Sequence, residues 1–156
     1  MSLQNPYRCN EIEFGYRFET DFGFVYELTF LRYPTLSERS EYVFYMFNIE
    51  AVKKGKVFID ERIRVTVEYV LSLFFENNTD AVVVVMDSSD GKHSARKRLF
   101  DKWYYQSKNM SIEKYGTFCK TEEIEIIATL FVEKNNPFKN SILFDYYELV
   151  KSNFYS

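Results

Sequence analysis

The stretch Ala81–Met86, AVVVVM, constrains the fold more than any other part of the chain. An unbroken run of β-formers with no charge leaves neither face for water, so it forms a strand covered on both sides. The residues before it decide how the chain reaches that strand. From Asp60 to Phe75, Ile63, Val65, Val67 and Tyr69 alternate as in a strand, while Ile63, Val67, Val70, Leu71 and Phe74 form a helical stripe. Length favours the helix, as do Asp60 and Glu61 at its start, where acids suit the helix dipole, and the ENNTD stop after it. A helix in that place makes a crossover, and a crossover delivers the buried strand parallel to its neighbour.

Upstream, the apolar spacing changes to two. Phe14, Tyr16 and Phe18 alternate with Glu13, Gly15 and Arg17, and Phe24, Tyr26, Leu28 and Phe30 repeat the pattern after the turn Thr20–Gly23. Residues 12–31 therefore read as an antiparallel hairpin. Tyr42–Phe47, YVFYMF, is apolar at consecutive positions and is expected as the third strand, followed by the solvated turn Lys53–Lys56. Downstream, Lys92–Tyr105 places Ala95, Leu99, Phe100 and Trp103 on one helical face. Ile112–Cys119 and Ile124–Val132 read as two strands, and Ser141–Phe154 carries Ile142, Tyr146, Leu149 and Val150 at helical spacing.

The order β-β-β-α-β-α-β-β-α predicts an α+β fold, an α/β sandwich whose mixed central sheet is packed by helices. At 156 residues the chain is expected as one domain, residues 1–156, with residues 1–10 as a flexible N-terminal segment. That length buries roughly two thirds of the extended surface without a disulfide.

Aromatic residues make up 19% of the chain, and their spacing assigns them: most fall on strand faces directed at helices, which is core filling rather than a base-stacking platform. A formal charge of −3 with mixed signs gives no field for steering nucleic acid or an anionic membrane. Nucleic acid is thus not an expected partner, and any anion binding must come from a local cluster. No run approaches the roughly 18 apolar residues of a membrane span, and the first residues lack the apolar core of a signal peptide. Cys9 and Cys119 are the only cysteines and are expected as free thiols, so the cytoplasm is the expected compartment.

Asp21-Phe22-Gly23 spells the magnesium motif of protein kinases, but it sits in the first hairpin without a His-Arg-Asp loop or a Gly-rich loop, and is a chance match. No metal site is expected, because His93 is the only histidine and neither cysteine has a C-x-x-C partner. The lone histidine also removes most nucleophilic triads, and a solvated or capping role suits His93.

Residues 87–98 are the one physically odd place. Lys92, Arg96, Lys97, Arg98 and Lys102 set five positive charges against one negative, Asp101, over residues 92 to 102. The helix dipole disfavours cations in the first turns, by a few tenths of a kcal/mol each when exposed. Asp87, Ser88, Ser89 and Asp90 offset part of that, with Ser89 or Asp90 as N-cap. A helix N-terminus after Ser and Gly at the carboxyl end of a buried strand is where α/β sheets place anions. Ser88, Ser89, Lys92, His93 and Arg96 are therefore the candidate ligand-binding residues. The bland reading beside it is a solvated helix with capping carboxylates and internal pairs such as Arg98 to Asp101. The loop carries neither a P-loop nor a dinucleotide fingerprint.

RIRVTVEYVLSLFF, VVVVMDSSDGKHSARKRLFDKW and VEKNNPF together resemble a family of small uncharacterised bacterial proteins, a domain of unknown function, over nearly the whole chain. Its most recognisable part is D-S-S-D-G followed by R-x-R-L-F-x-K-W. That resemblance implies one coherent domain and supplies no chemistry. In topology the chain also resembles the GNAT acetyltransferases, through its order of strands, helix, strand, helix and two strands. Asp90 to Tyr104, with Ala95, Leu99 and Phe100, is similar to that family's N-x-x-A-x-x-[LF]-[YF] helix, with Asp90 or Gly91 in place of Asn. The family's pyrophosphate loop, [QR]-x-x-G-x-[GA], is absent from KVFIDERIRVT. This second resemblance implies acyl-CoA as cofactor, with Asp87 or Tyr104 as a proton carrier.

No enzymatic activity is legible in the residues themselves, and no cofactor is expected from them. The expected function is binding of an anionic ligand or an acidic protein partner at residues 87–98. The alternatives are a divergent GNAT-like acyltransferase and a structural or oligomerising protein whose aromatics cover a partner.

Overall fold

The structure, a computed structural model, describes residues 5–33, 41–56, 60–76, 79–87, 97–98, 101, 104–105, 111–120 and 122–154. Its strands are β1 (Asn10–Ile12), β2 (Gly15–Glu19), β3 (Val25–Arg32), β4 (Phe44–Lys53), β5 (Ala81–Asp87), β6 (Ile112–Lys120) and β7 (Glu125–Glu133). Its helices are α1 (Glu61–Phe74) and α2 (Lys139–Phe154), and Lys97, Arg98, Asp101, Tyr104 and Tyr105 are helical as well. The strands form one mixed seven-stranded sheet in the order β1-β2-β3-β4-β5-β7-β6, so the fold is α+β. β4 and β5 pair in parallel, Phe44 opposite Ala81 through Met46 opposite Val83. α1 lies between them in the chain, which is the crossover that the AVVVVM run demands.

The chain divides into two compact units, Met1–Leu31 with Phe47–Glu76 and Arg32–Met46 with Asn77–Ser156. In the first, β1, β2 and β3 form an antiparallel meander, with Arg17 directly opposite Glu27 and its guanidinium 2.5 Å from that carboxylate. The buried side is aromatic: Phe18 stacks on both Tyr7 and Tyr26, and Phe30 meets Phe47 and Phe74 with ring centroids 4.9 Å apart in each case. α1 buries Thr66, Val67, Val70 and Leu71, a helical spacing, so the disputed period resolves as helix.

The hairpin expected over residues 12–31 is differently built. Phe14 does not continue the strand; it lies in the turn between β1 and β2 at φ 65° and is 61% exposed. Ile12 pairs with Gly15 across that turn, and the Phe14 carbonyl accepts from the Phe30 N–H at 2.8 Å. Phe14 falls in step with Tyr16 and Phe18 in the sequence, which is why alternation alone does not reveal the reversal. Gly15 is needed just after it, because a Cβ there would lie 1.8 Å from the Leu28 carbonyl oxygen.

In the second unit, β5 is covered on both faces. Ala81 and Val83 join Ala128, Leu130 and Val132 of β7 and Ile142, Tyr146 and Val150 of α2 in one buried cluster. Val82 and Val84 alternate to the other face, where Ile127 and Phe131 are buried too. The ring of Tyr104 packs against Phe131 there, 6.3 Å between centroids. Among the described residues, no helix is long and apolar enough to cross a membrane. Cys9 is a free thiol that donates to the Tyr7 carbonyl, and burial pushes the pKa of that thiol up.

Candidate functional site

β5 runs to Asp87, whose backbone pairs with Ile126 of β7. The carboxyl end of a buried strand therefore opens directly onto the odd segment. Ser88, Ser89, Lys92, His93 and Arg96 lie outside the described residues, and Asp87 is placed by its backbone alone.

The segment's second half is built around Asp101. Lys97, one helical turn before it, brings its ammonium to 2.5 Å from Oδ2, and Lys114 of β6 brings its own to 2.7 Å from Oδ1. Burial alone would raise the Asp101 pKa, but hydrogen bonds from Lys114 and Lys97 outweigh it and hold the carboxyl below its ordinary value. Lys97, rather than Arg98, is thus the internal partner of Asp101, as the i,i+4 spacing favours, and Arg98 is exposed. Periodicity could not pair Lys114 with Asp101, because the contact joins two elements. The available signal was a lysine at position 114 in a strand register that also holds the buried Ile112.

Lys114 also lies over two rings, 4.9 Å from the centroid of Tyr104 and 4.7 Å from that of Tyr105, and those rings meet edge to face. The Tyr104 hydroxyl donates to the Ile112 carbonyl at 3.0 Å, so its proton is engaged by a backbone acceptor. Tyr105 is 76% exposed. Cation, carboxylate and aromatic face are thus held together by contacts within the unit.

On the α2 side, the phenols are donors. The Tyr146 hydroxyl, fully buried, lies 2.9 Å from the Ala128 carbonyl and 3.0 Å from Thr117 Oγ1; burial drives its pKa up to about 12. Tyr115 donates to Glu113, which raises the phenol to about 12 and lowers the carboxyl, and Lys139 stands 3.4 Å from the same carboxylate. Tyr42, raised by burial, donates to Asp145. All three hydroxyls are thus engaged by partners within the unit. Asn136, in the turn before α2, accepts from the Phe138 N–H at 2.8 Å, while its buried Nδ2 has no hydrogen-bond partner.

In the other unit, the acids and arginines at the start of α1 are structural. Asp60 caps the helix by accepting from the Arg62 N–H at 3.0 Å and also takes the Tyr7 hydroxyl at 2.6 Å. Arg64 pairs locally with Glu61 and Glu68, whereas Arg62 reaches Asp21 at 3.1 Å and covers the Tyr7 ring. The aspartate of the kinase-like Asp-Phe-Gly match therefore anchors a turn. Among the described residues, no three His, Cys, Asp or Glu side chains lie together as metal ligands.

Among protein-family models, one described as a family of unknown function, DUF6169, matches residues 59–148. The span holds all three stretches on which the resemblance rests, and is shorter than nearly the whole chain. No curated protein and no solved structure matches.

Proposed function

The chain thus belongs to this family of unknown function, and we propose from its own residues that it is a binding protein. It receives an anionic ligand or an acidic partner at residues 87–98, through Ser88, Ser89, Lys92, His93 and Arg96. We place it in the cytoplasm, because a domain of this size needs no disulfide.

The observation that carries this reading is the double engagement of Asp101. It is the only carboxylate within residues 92–102, and it is already shared by Lys97 and by Lys114 from outside the segment. By count the segment's charge is therefore not neutralised from within, and the segment begins at the carboxyl end of β5, where α/β sheets place anions.

Native mass spectrometry of the full chain, titrated with inorganic pyrophosphate, inorganic phosphate and CoA, tests this. Binding of one pyrophosphate per chain is expected. No binding of any of the three removes the reading, and binding of CoA without pyrophosphate replaces it with the acyltransferase-like alternative.

A further inference from the structure

Phe14 is the residue of the first unit for which the fold gives no reason. The turn between β1 and β2 holds it at φ 65°, a left-handed conformation suited to Gly or Asn and strained in a bulky residue, whose Cβ crowds the following carbonyl. The turn's glycine stands one residue later, at Gly15, where a Cβ would meet the Leu28 carbonyl oxygen at 1.8 Å, so the positive φ falls on Phe14. Burial does not offset the strain: the ring is 61% exposed and meets no other ring among the described residues. The turn is held by backbone, through the bond from the Phe30 N–H to the Phe14 carbonyl, which any side chain would leave in place. Strain that the fold does not offset points outward, to a contact.

The charges around Phe14 say what kind of contact. Glu11 and Glu13 flank it, both exposed and neither in an ion pair among the described residues. The same unit carries the opposite arrangement at the end of β4. There Val52, 47% exposed, is followed by the exposed Lys53, Lys54 and Lys56, which are likewise without an ion pair among the described residues. The two features lie at opposite ends of β2: the Phe14 turn precedes that strand, and the Lys56 N–H donates to the Phe22 carbonyl, in the turn that follows it, at 3.0 Å. Five strand residues, about 17 Å, separate them, so they do not meet within one chain. A two-fold axis between two copies sets the acidic turn of each against the basic turn of the other, and both contacts form at once.

We propose that the chain forms a closed two-fold pair in which Phe14 of each copy packs on Val52 and the lysine stems of the other, with Glu11 and Glu13 facing those ammonium groups. Lysine stems are apolar and cover a ring while the charge stays at the rim. The pair uses neither residues 87–98 nor an anion, so it stands independently of the binding reading above.

Sedimentation of the full chain over a range of concentrations tests it. The wild type is expected to pass from monomer to dimer, and to dissociate more readily at about 1 M salt than at about 0.1 M, where charges are less screened. Phe14→Asn tolerates the left-handed turn, so it is expected to keep the wild-type circular dichroism. It should weaken the dimer about thirtyfold, the loss of one buried aromatic anchor. Glu11→Lys with Glu13→Lys, and separately Lys53→Glu with Lys54→Glu, are each expected to give a monomer. Mixed in equal amounts, these two variants should pair again, because each then meets opposite charge at both contacts. A wild type that stays monomeric to its solubility limit, a Phe14→Asn dimer as tight as the wild type, or a mixture that stays monomeric overturns the proposal. Growth of the mixture beyond two chains overturns it as well, since a two-fold pair is closed.

Discussion

Lys114 of β6 holds its ammonium 2.7 Å from the carboxylate of Asp101, and so joins the helical residues after the basic run to the edge strand of the sheet. Lys97 shares that carboxylate, and the two lysines together keep its pKa low against the effect of burial. A depressed carboxyl pKa adds stability that is present above the unfolded value, near 3.8, and is lost as pH falls through the lower folded value.

Asp101→Asn is accordingly expected to cost about 1 kcal/mol at neutral pH, in line with partly exposed ion pairs. Urea unfolding at neutral pH and near pH 3 checks the linkage. The wild type should lose stability on acidification by more than the variant does, and an identical loss in both would show that Asp101 carries none of the pH dependence.

Tyr146, Thr117 and the Ala128 carbonyl make a buried three-way contact with two hydroxyl protons between them. Removing the Tyr146 hydroxyl leaves Thr117, 3.2 Å from the same carbonyl, able to satisfy it. Tyr146→Phe is therefore expected to cost about 1 kcal/mol, and its combination with Thr117→Val is expected to depart from the sum of the single changes, because the two hydroxyls share one acceptor and contact each other. A double-mutant cycle by chemical unfolding reads the coupling.

Alkaline unfolding follows from the phenols. Tyr146 and Tyr115 are each raised to about 12 from an ordinary 10.0, and Tyr42 is raised as well. A raised folded pKa contributes stability that is whole below the unfolded value and lost as pH climbs from 10 toward 12. Phenolate absorbance and circular dichroism followed together over that range should show these tyrosines ionising as the fold is lost. Ionisation of all phenols near pH 10 with the fold intact would contradict the assignment.

Gly15→Ala and Gly116→Ala form a contrasting pair. A Cβ on Gly15 meets the Leu28 carbonyl oxygen at 1.8 Å, whereas one on Gly116 meets nothing within 4 Å. The first is expected to cost about 2–3 kcal/mol through backbone displacement, and the second to change stability by less than about 0.5 kcal/mol. Thermal melts of the two variants check this directly.

The fold was legible wherever periodicity and length pointed the same way. AVVVVM demanded two covered faces and a crossover, and the parallel pairing of β4 with β5 around α1 follows from that. The stripe Val67, Val70, Leu71 decided the helix because burial recurs at three and four residues and not at two. What alternation hid was the Phe14 turn, since Phe14 falls in step with Tyr16 and Phe18 although it lies in the reversal. In the candidate site, the excess of cations was visible in composition along the chain, but the lysine that completes the Asp101 pair comes from β6, thirteen residues on. Contacts between elements have no period to read.

The central claim is that residues 87–98 bind an anion, and the double charge reversal Lys92→Glu with Arg96→Glu tests it most directly. Calorimetric titration with pyrophosphate, alongside a thermal melt, gives both readouts from one preparation. Loss of pyrophosphate binding with a nearly unchanged melting temperature is the predicted result. Retained pyrophosphate binding, or a collapse of the melting temperature showing these cations to be structural, would contradict it.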